Sequence, residues 1–600
     1  MSVVKINKAL LKDLRKAVVW SYTITRQASG KLLASVITCF LLEALIPVAF
    51  TATIGIIVAK FKSTTKIPFS DQPLPLLMGI AIALLALELI LKEIRAFSRT
   101  RLAEETAFLL QKVLFKQTSR MDLVFFETKE SLNLLFRAAG GKSAFGPIQC
   151  ALSCAGGLIQ LGSLFSLMFY LSPLMAFYLF LAGLPLIIIR CLSSLQKFNI
   201  DVKRTEGKRL SGYYTSLLTG SASVTSTKLL NLAAEMIGRF ETTAREIIQE
   251  KQKILITITL KLTAAIIFYL LILLSVISWL ANKFENGMLE AAVIVAFLLA
   301  SFRALKSNTQ ISKSLASGAE SALRIIPLLE FLSEEPKISD EGGLCPESLN
   351  GNISFKDLEF SYPGSLHPVI DKLSLEIPAG QKVAIVGRNG AGKTTLIKLI
   401  ARLYEADNGT IHIDGNNIKD LSLRWLHDHI ALCFQRPVQF EATVQENIAF
   451  GDWHKLKDDP VKVQKLADET GIIGFVKDLP SGMDTHLGRL YGEVTISTGQ
   501  WQLLAITRAL ARKDSILILD EPTASLDAEA EKTMFHAIKC FASDRTVIFV
   551  SHKLSTIRKA DRILVIDEGI IVEDGTHDDL ILMEGYYSSM FEQQNKDYSK

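Results

Sequence analysis

Six hundred residues are too many for a single core and call for several domains of roughly 100–200 residues each. With 49% hydrophobic residues and a mean hydropathy of +0.29, a wholly soluble chain is excluded. The net charge of +5 is dispersed, 66 Lys and Arg against 61 Asp and Glu, and forms no basic stripe, so no nucleic-acid partner is expected. The seven cysteines are odd in number and scattered, without the histidine spacing of a zinc site, and read as structural thiols.

The first thirty residues interleave Lys5, Lys8, Lys12, Arg15 and Lys16 with Ile6, Leu10, Leu14, Val18 and Trp20. This predicts a basic amphipathic helix on the cytoplasmic face of a membrane, with Trp20 near the headgroups. No sustained apolar region with a small-residue cleavage site argues for a signal peptide. Six apolar runs follow, at residues 32–59, 74–91, 148–171, 174–189, 262–281 and 289–305, each near the ~20 residues that cross a bilayer. Ser172-Pro173 joins the third and fourth in a tight hairpin.

The loops orient these spans. Residues 92–147 carry Lys92, Arg95, Lys112, Arg120 and Lys142 among other cations, and residues 190–261 are similarly basic. The opposite loops are short, and only Lys60, Lys62 and Lys66 break the bias. Both long loops and both termini are therefore expected in the cytoplasm, and the helical patterning of the loops predicts that the spans continue well beyond the bilayer. Glu43, close to mid-membrane, is expected to face a bundle interior or cavity, either lining a substrate path toward cationic groups or locking helices together; Glu88 lies nearer the cytoplasmic end.

From 333 to 350 the composition shifts to Glu, Lys, Asp, Gly and Pro, which reads as a linker between a membrane domain (1–332) and a soluble domain (351–600). In the latter, short strand-like runs alternate with amphipathic helices, an α/β pattern. The strand-like run Lys382-Val383-Ala384-Ile385-Val386 leads into Gly387-Arg388-Asn389-Gly390-Ala391-Gly392-Lys393-Thr394-Thr395 and then a helix-like run. That is a phosphate-binding loop in its required strand–loop–helix setting. The glycines let backbone N–H groups approach a polyphosphate, Lys393 would reach the outer phosphates, and the Thr394 hydroxyl would hold Mg²⁺. A second apolar strand from Ser515 ends in Asp520-Glu521, where Asp520 suits the Mg²⁺ shell and Glu521 suits polarising an attacking water.

With these motifs in this order, the chain resembles the ATP-binding cassette (ABC) transporter family, and specifically exporter half-transporters, over almost its whole length. The resemblance implies an all-α six-helix transmembrane domain followed by an α/β P-loop ATPase domain, with ATP and Mg²⁺ as cofactors. It implies that Tyr362, in Phe360-Ser361-Tyr362-Pro363, stacks on adenine, and that Gln435, in Cys433-Phe434-Gln435, touches the metal and couples to the membrane domain. Ile496-Ser497-Thr498-Gly499-Gln500 is similar to the family signature, which caps the γ-phosphate held by a partner subunit. Ser525-Leu526-Asp527 is similar to the loop that crosses the dimer interface, and His552 to the histidine that contacts the γ-phosphate. Thr498 departs from the family's usual glycine and puts full activity of the composite site in question. The segment from Met121 to Ala138 sits where the first cytoplasmic loop of these exporters turns toward an ATPase domain, and residues 217–240 sit at the second such turn. Residues 441–448 and Gly499-Gln500-Trp501-Gln502 resemble bacterial peptide or bacteriocin exporters.

The expected function is ATP-driven export of a hydrophobic or amphipathic peptide, lipid or drug by a dimer in the cytoplasmic membrane of a bacterium, with a homodimer favoured. Two alternatives keep the fold: one subunit of a heterodimer with an impaired composite site, or a membrane regulator for which ATP is a ligand rather than a fuel.

Overall fold

The computed structural model describes residues 8–60, 73–141, 144–171, 173–203, 205–286, 291–338, 343–489, 492, 494–512, 516–523 and 526–598. Lys5, Ile6, Lys62, Lys66, Lys142, Ser172, Ser515 and Ser525, and the start of the run at 289–305, lie outside them. The chain divides into two compact units, Met1–Met121 with Glu127–Glu335, and Asp122–Phe126 with Pro336–Lys600.

The first unit is helical: α1 (Lys8–Lys60), α2 (Leu74–Thr118), α3 (Lys129–Ala139), α4 (Phe145–Leu171), α5 (Pro173–Lys203), α6 (Thr205–Thr219), α7 (Ser221–Leu229), α8 (Ala233–Glu285) and α9 (Ala291–Ser333). Helices suit such apolar runs because in hydrocarbon every backbone N–H and C=O must be satisfied within the segment. At 45 and 53 residues, α2 and α8 far exceed the ~20 needed to cross a bilayer, so the basic loops do extend the spans as continuous helix. Apolar side chains such as Ile82, Ile90, Leu271 and Leu274 stay exposed on these helices, as lipid-facing positions must.

By length and composition, four helices among the described residues could cross a membrane, within Lys12–Ile54, Leu74–Thr118, Phe145–Ser166 and Ala233–Glu285, and Ala176–Arg190 is a shorter apolar helix. The sixth expected run, 289–305, begins outside the described residues, and α9 (Ala291–Ser333) carries the rest of it as helix.

The N-terminal helix is a finding of its own. α1 breaks at Ser29 (φ −162°, ψ 98°), whose hydroxyl accepts the Leu32 N–H at 3.4 Å and so caps the segment that follows. Before the break, Ala17 is buried together with Ala322 and Ile325 of α9, and Trp20 packs against this cluster. Part of the apolar face expected at the headgroups is thus covered by protein, because small Ala17 lets α9 approach closely.

The second unit has two sheets. An antiparallel one orders its strands β2 (Ile370–Ile377), β1 (Ile353–Phe360), β4 (Asn408–Ile413) and β5 (Asn416–Asn417). The other orders β10 (Ile570–Gly575), β9 (Arg562–Asp567), β3 (Lys382–Val386), β8 (Val547–Val550), β7 (Ile516–Asp520) and β6 (Ile430–Cys433). From β9 to β6 all pairings are parallel, with only β10 antiparallel. Their near-continuous Val, Ile and Leu runs fit strands buried on both faces: every residue of β7 and β8 is buried.

The helices of this unit are α10 (Lys393–Ile400), α11 (Leu423–His429), α12 (Val444–Ala449), α13 (Trp453–Leu456), α14 (Pro460–Glu469), α15 (Ile473–Val476), α16 (Thr498–Leu510), α17 (Ala528–Phe541), α18 (Leu554–Ile557), α19 (His577–Leu582) and α20 (Tyr586–Tyr598). One core, including Ile385, Leu396, Ile397 and Ile518, lies between the two sheets and α10, and Leu123 and Val124 of a 3-10 turn (Leu123–Phe126) pack against it. A second core covers the opposite sheet face with α16 and α17, and a third, with Val444, Val463 and Trp501, holds α12, α14 and α16 together.

Candidate functional site

Parallel strand order is what assembles the site. β3, β8, β7 and β6 are consecutive neighbours, so the residues just past their carboxyl ends form a row: Gly387, His552, Asp520 with Glu521, and Gln435. Open α/β sheets place their ligands outside these ends.

The loop after β3 needs its glycines for two different reasons. Gly387 has φ +151°, and a Cβ there would lie 2.0 Å from the carbonyl oxygen of Ile566 in β9. Gly392, at φ +103°, caps α10 and would place a Cβ 2.8 Å from the Val369 carbonyl oxygen. Both approaches are to backbone, which cannot step aside. Lys393 is nearly buried and curls back over the loop, its Nζ donating to the carbonyls of Gly387 (2.9 Å) and Arg388 (2.7 Å). Burial pulls the Lys393 ammonium below its usual range, with Glu521 and Asp520 opposing.

The Thr394 hydroxyl donates to Asp520 Oδ2 at 3.1 Å. Asp520 is 3% exposed, and burial pushes its carboxyl above the usual carboxylate range. Such a buried anion facing a hydroxyl and an ammonium suits the neighbourhood of a divalent cation. Among the described residues no group of three His, Cys, Asp or Glu forms an all-protein metal cage.

Glu521 has φ +49°, a left-handed backbone for a residue with a Cβ, and its N–H donates to the Val550 carbonyl at 3.0 Å. Its two oxygens meet Gln435 Nε2 at 2.6 Å and His552 Nε2 at 3.2 Å. Two residues far apart in sequence, Gln435 and His552, thus converge on the Glu521 carboxylate.

Tyr362 is half-buried: its hydroxyl pairs with Thr395 Oγ1 at 3.1 Å, and its ring sits edge-on to Phe360 and Tyr404 with centroids 5.1 and 5.4 Å away. The signature segment stands apart. Ser497 caps α16 in a reciprocal capping box with Gln500 (3.2 and 2.8 Å), Thr498 opens the helix on an exposed surface, and Gly499 follows. Among the described residues no hydrogen bond or ion pair links Ser497–Gln500 to the phosphate loop of the same chain. Asp527 caps α17, its Oδ1 accepting the Ala530 N–H at 2.8 Å.

Sequence reading missed two features. Lys398 places its ammonium 5.3 Å from the ring centroids of both Tyr362 and Tyr404. Arg508 joins the signature helix to the segment after Gln435: it donates to Asn447 O (3.0 Å), Asn447 Oδ1 (2.8 Å) and Val438 O (3.3 Å). Asn447 is fully buried and donates in turn to the carbonyls of Phe440, Ala442 and Thr443. The local signal was there, because Asn447 follows the capping box Thr443–Glu446 directly.

Known proteins agree with this geometry. The ABC transporter family profile matches residues 370–524, from β2 to just beyond Glu521. An ATP-dependent lipid A-core flippase of Pseudomonas fluorescens (strain Pf0-1) is 39% identical over 320 residues, 53% of this chain and 52% of that protein. The ATP-dependent lipid A-core flippase of Escherichia coli (strain K12) is 30% identical over 531 residues, covering 86% of this chain and 88% of that protein. Among solved structures, a bacterial Atm1-family ABC exporter with ATP bound superposes with a TM-score of 0.81 at 22% identity, over 94% of this chain and 99% of the other. This chain belongs to the ABC transporter family, as an exporter in which a helical membrane domain is followed by an α/β ATPase domain whose ATP hydrolysis drives transport.

Proposed function

We propose that this chain works as a homodimer that exports an amphipathic lipid across a bacterial cytoplasmic membrane, with both termini and the ATPase domain inside. The observation that carries the enzymatic half is the convergence of Gln435, His552 and Glu521 beside the Lys393 loop. An intact base and histidine favour ATP as fuel over ATP as a mere ligand.

In this reading Gly387, Arg388, Asn389, Gly390, Ala391 and Gly392 present backbone N–H groups to the phosphates. Lys393 leaves its two carbonyls to meet the β- and γ-phosphates, and Thr395 belongs to the same helix N-terminus. Tyr362 offers its ring to adenine. Thr394, Asp520 and Gln435 would hold Mg²⁺, which when bound neutralises charge building on the phosphates. Glu521 orients the attacking water and draws its proton, while His552 stabilises the γ-phosphate. Ser497, Thr498, Gly499 and Gln500 act on the partner subunit's nucleotide, which explains why they lie apart from the loop in one chain, and Asp527 lies at the crossing between subunits. ATP would then draw two ATPase domains together, and the 3-10 turn Leu123–Phe126 would carry that closure to the helices.

The lipid assignment rests on the flippase relatives and on a cavity of about 230 Å³ walled by α1, α2, α4 and α9. Glu43 there pairs with Arg95 at 2.5 Å and Glu88 with Lys92 at 2.6 Å, and Lys306, Gln160 and Gln310 complete the polar wall. Glu43 is thus met by protein. Three cations against two carboxylates leave one positive charge over, which suits an anionic lipid head rather than a cationic one.

Reconstitution tests this. With the chain in vesicles, an anionic labelled lipid should move between leaflets only with Mg-ATP, and Lys306→Gln should slow it. Equal movement of a cationic lipid would overturn the assignment.

A further inference from the structure

An apolar cavity of the ATPase domain lies beside β7 and β8, lined by residues other than those of the nucleotide loop. Its volume is about 460 Å³, within the range of small-molecule sites. Leu519, Ile538, Val547 and Phe549 make its walls, contributed by β7, α17 and β8.

Two observations show that this space is not simply loose core. The buried Thr556 lines it, and its hydroxyl has no hydrogen-bond partner among the described residues. Leaving a buried hydroxyl unpaired costs about 1–3 kcal/mol, so a native site usually supplies a partner from elsewhere. The charged groups lining the cavity are also all basic: Lys382, Lys539 and Lys559, with His536 beside them, and no carboxylate among the described lining residues. Lys559 lies one turn beyond Thr556, its N–H donating to the Thr556 carbonyl at 3.1 Å, and its ammonium sits 3.5 Å from the Phe535 ring centroid. The hydroxyl and the lysines are the polar part of an otherwise apolar lining.

We propose that this cavity is a regulatory site for a single-tailed amphipathic carboxylate, a fatty-acid-like ligand. Its head meets Thr556 and the lysines, and its tail fills the space between Leu519, Ile538, Val547 and Phe549. Charge selects the class. An apolar cavity alone would take any tail, but three lysines favour an anionic head and disfavour an amine. Position gives the consequence, because Leu519 and the lining residue Pro522 flank Asp520 and Glu521 directly in sequence, and Thr556 lies four residues after His552. An occupant therefore presses on the strand end that carries both acids and on the segment that carries the histidine.

The test uses the full chain in lipid nanodiscs, with dodecanoate as probe and empty nanodiscs as blank. Titration calorimetry should show saturable binding of one dodecanoate per chain above the blank. The exposed double variant K539E/K559E should weaken it at least tenfold, and Thr556→Val at least threefold, with both variants melting within about 2 °C of the parent. Dodecylammonium should show partitioning only. No saturable binding above the blank, equal binding of the amine, or affinity unchanged in K539E/K559E would overturn the site. Saturating dodecanoate should also change ATP turnover at least twofold in the parent and not in K539E/K559E; unchanged turnover in the parent would overturn the regulatory role. The binding arms need no transport, so they can fail or succeed independently of the export reading.

Discussion

Replacing Gly387 by alanine isolates what holds the nucleotide loop in place. The added Cβ would sit 2.0 Å from the Ile566 carbonyl oxygen and 3.1 Å from its carbon, both in β9, the strand that pairs with β3 through Val386 and Val565. Neither atom can rotate away, so the loop or the strand must shift. A φ of +151° adds strain that a residue with a Cβ pays at about 1–3 kcal/mol. Strain and displacement together should cost about 3–5 kcal/mol. Gly390→Ala is the matched control: its φ is +85°, but nothing lies within 4 Å of its Cβ, so only backbone strain of about 1–2 kcal/mol applies. For a unit of this size about 2–4 °C is lost per kcal/mol. Scanning calorimetry of the full chain without nucleotide should therefore show the ATPase transition falling by about 6–20 °C for Gly387→Ala and by less than half of that for Gly390→Ala. Equal drops would refute the idea that close packing on β9 fixes the loop.

Four further outcomes follow from the same geometry. Burial raises the Asp520 carboxyl, so its ionised form opposes folding; that cost is absent below about pH 4 and complete above the raised value. Asp520→Asn should thus raise the melting temperature of the nucleotide-free protein near pH 7 while cutting Mg-ATP turnover about 100-fold or more, and a lower melting temperature would contradict the desolvation reading. Arg508→Ala should destabilise the ATPase unit by about 2–4 kcal/mol in the same calorimetry, since it strands the acceptors of Asn447 and Val438; a loss under 1 kcal/mol would show the clamp to be dispensable. Arg95→Met should destabilise the membrane unit by about 3–5 kcal/mol and Glu43→Gln/Arg95→Met by clearly less, a double-mutant cycle whose additivity would deny the ion pair. Thr498→Gly should change ATP turnover by less than about threefold, because the Ser497 cap and the backbone N–H groups of the first turn do not depend on the side chain; a rise of tenfold or more would show Thr498 to impair the composite site.

The parts of the site legible in sequence are those whose chemistry is local. The glycines, Lys393 and Thr394 form one continuous motif, and Asp520-Glu521 closes an unmistakable buried strand, so both could be read directly. The meeting of Gln435, Glu521 and His552 depends on the order β3, β8, β7, β6, and no local pattern encodes which parallel strands are neighbours. The contact of Gly387 with Ile566 is hidden for the same reason. In the membrane unit hydropathy located the runs well, yet it could not show the break at Ser29, where a hydroxyl cap rather than composition ends one helix and starts another. It also could not show that Glu43 is answered by Arg95, because the two lie on different helices. The cavity behind β7 was invisible because its walls read as ordinary core.

The most direct measurement is Mg-ATP hydrolysis by this chain purified alone in lipid, with Glu521→Gln as the blank and bound nucleotide measured in both. A working homodimer turns over ATP at least about 100-fold faster than the blank, while the Gln variant still binds nucleotide. Turnover no faster than Glu521→Gln, with ATP bound to both, would contradict a self-sufficient exporter.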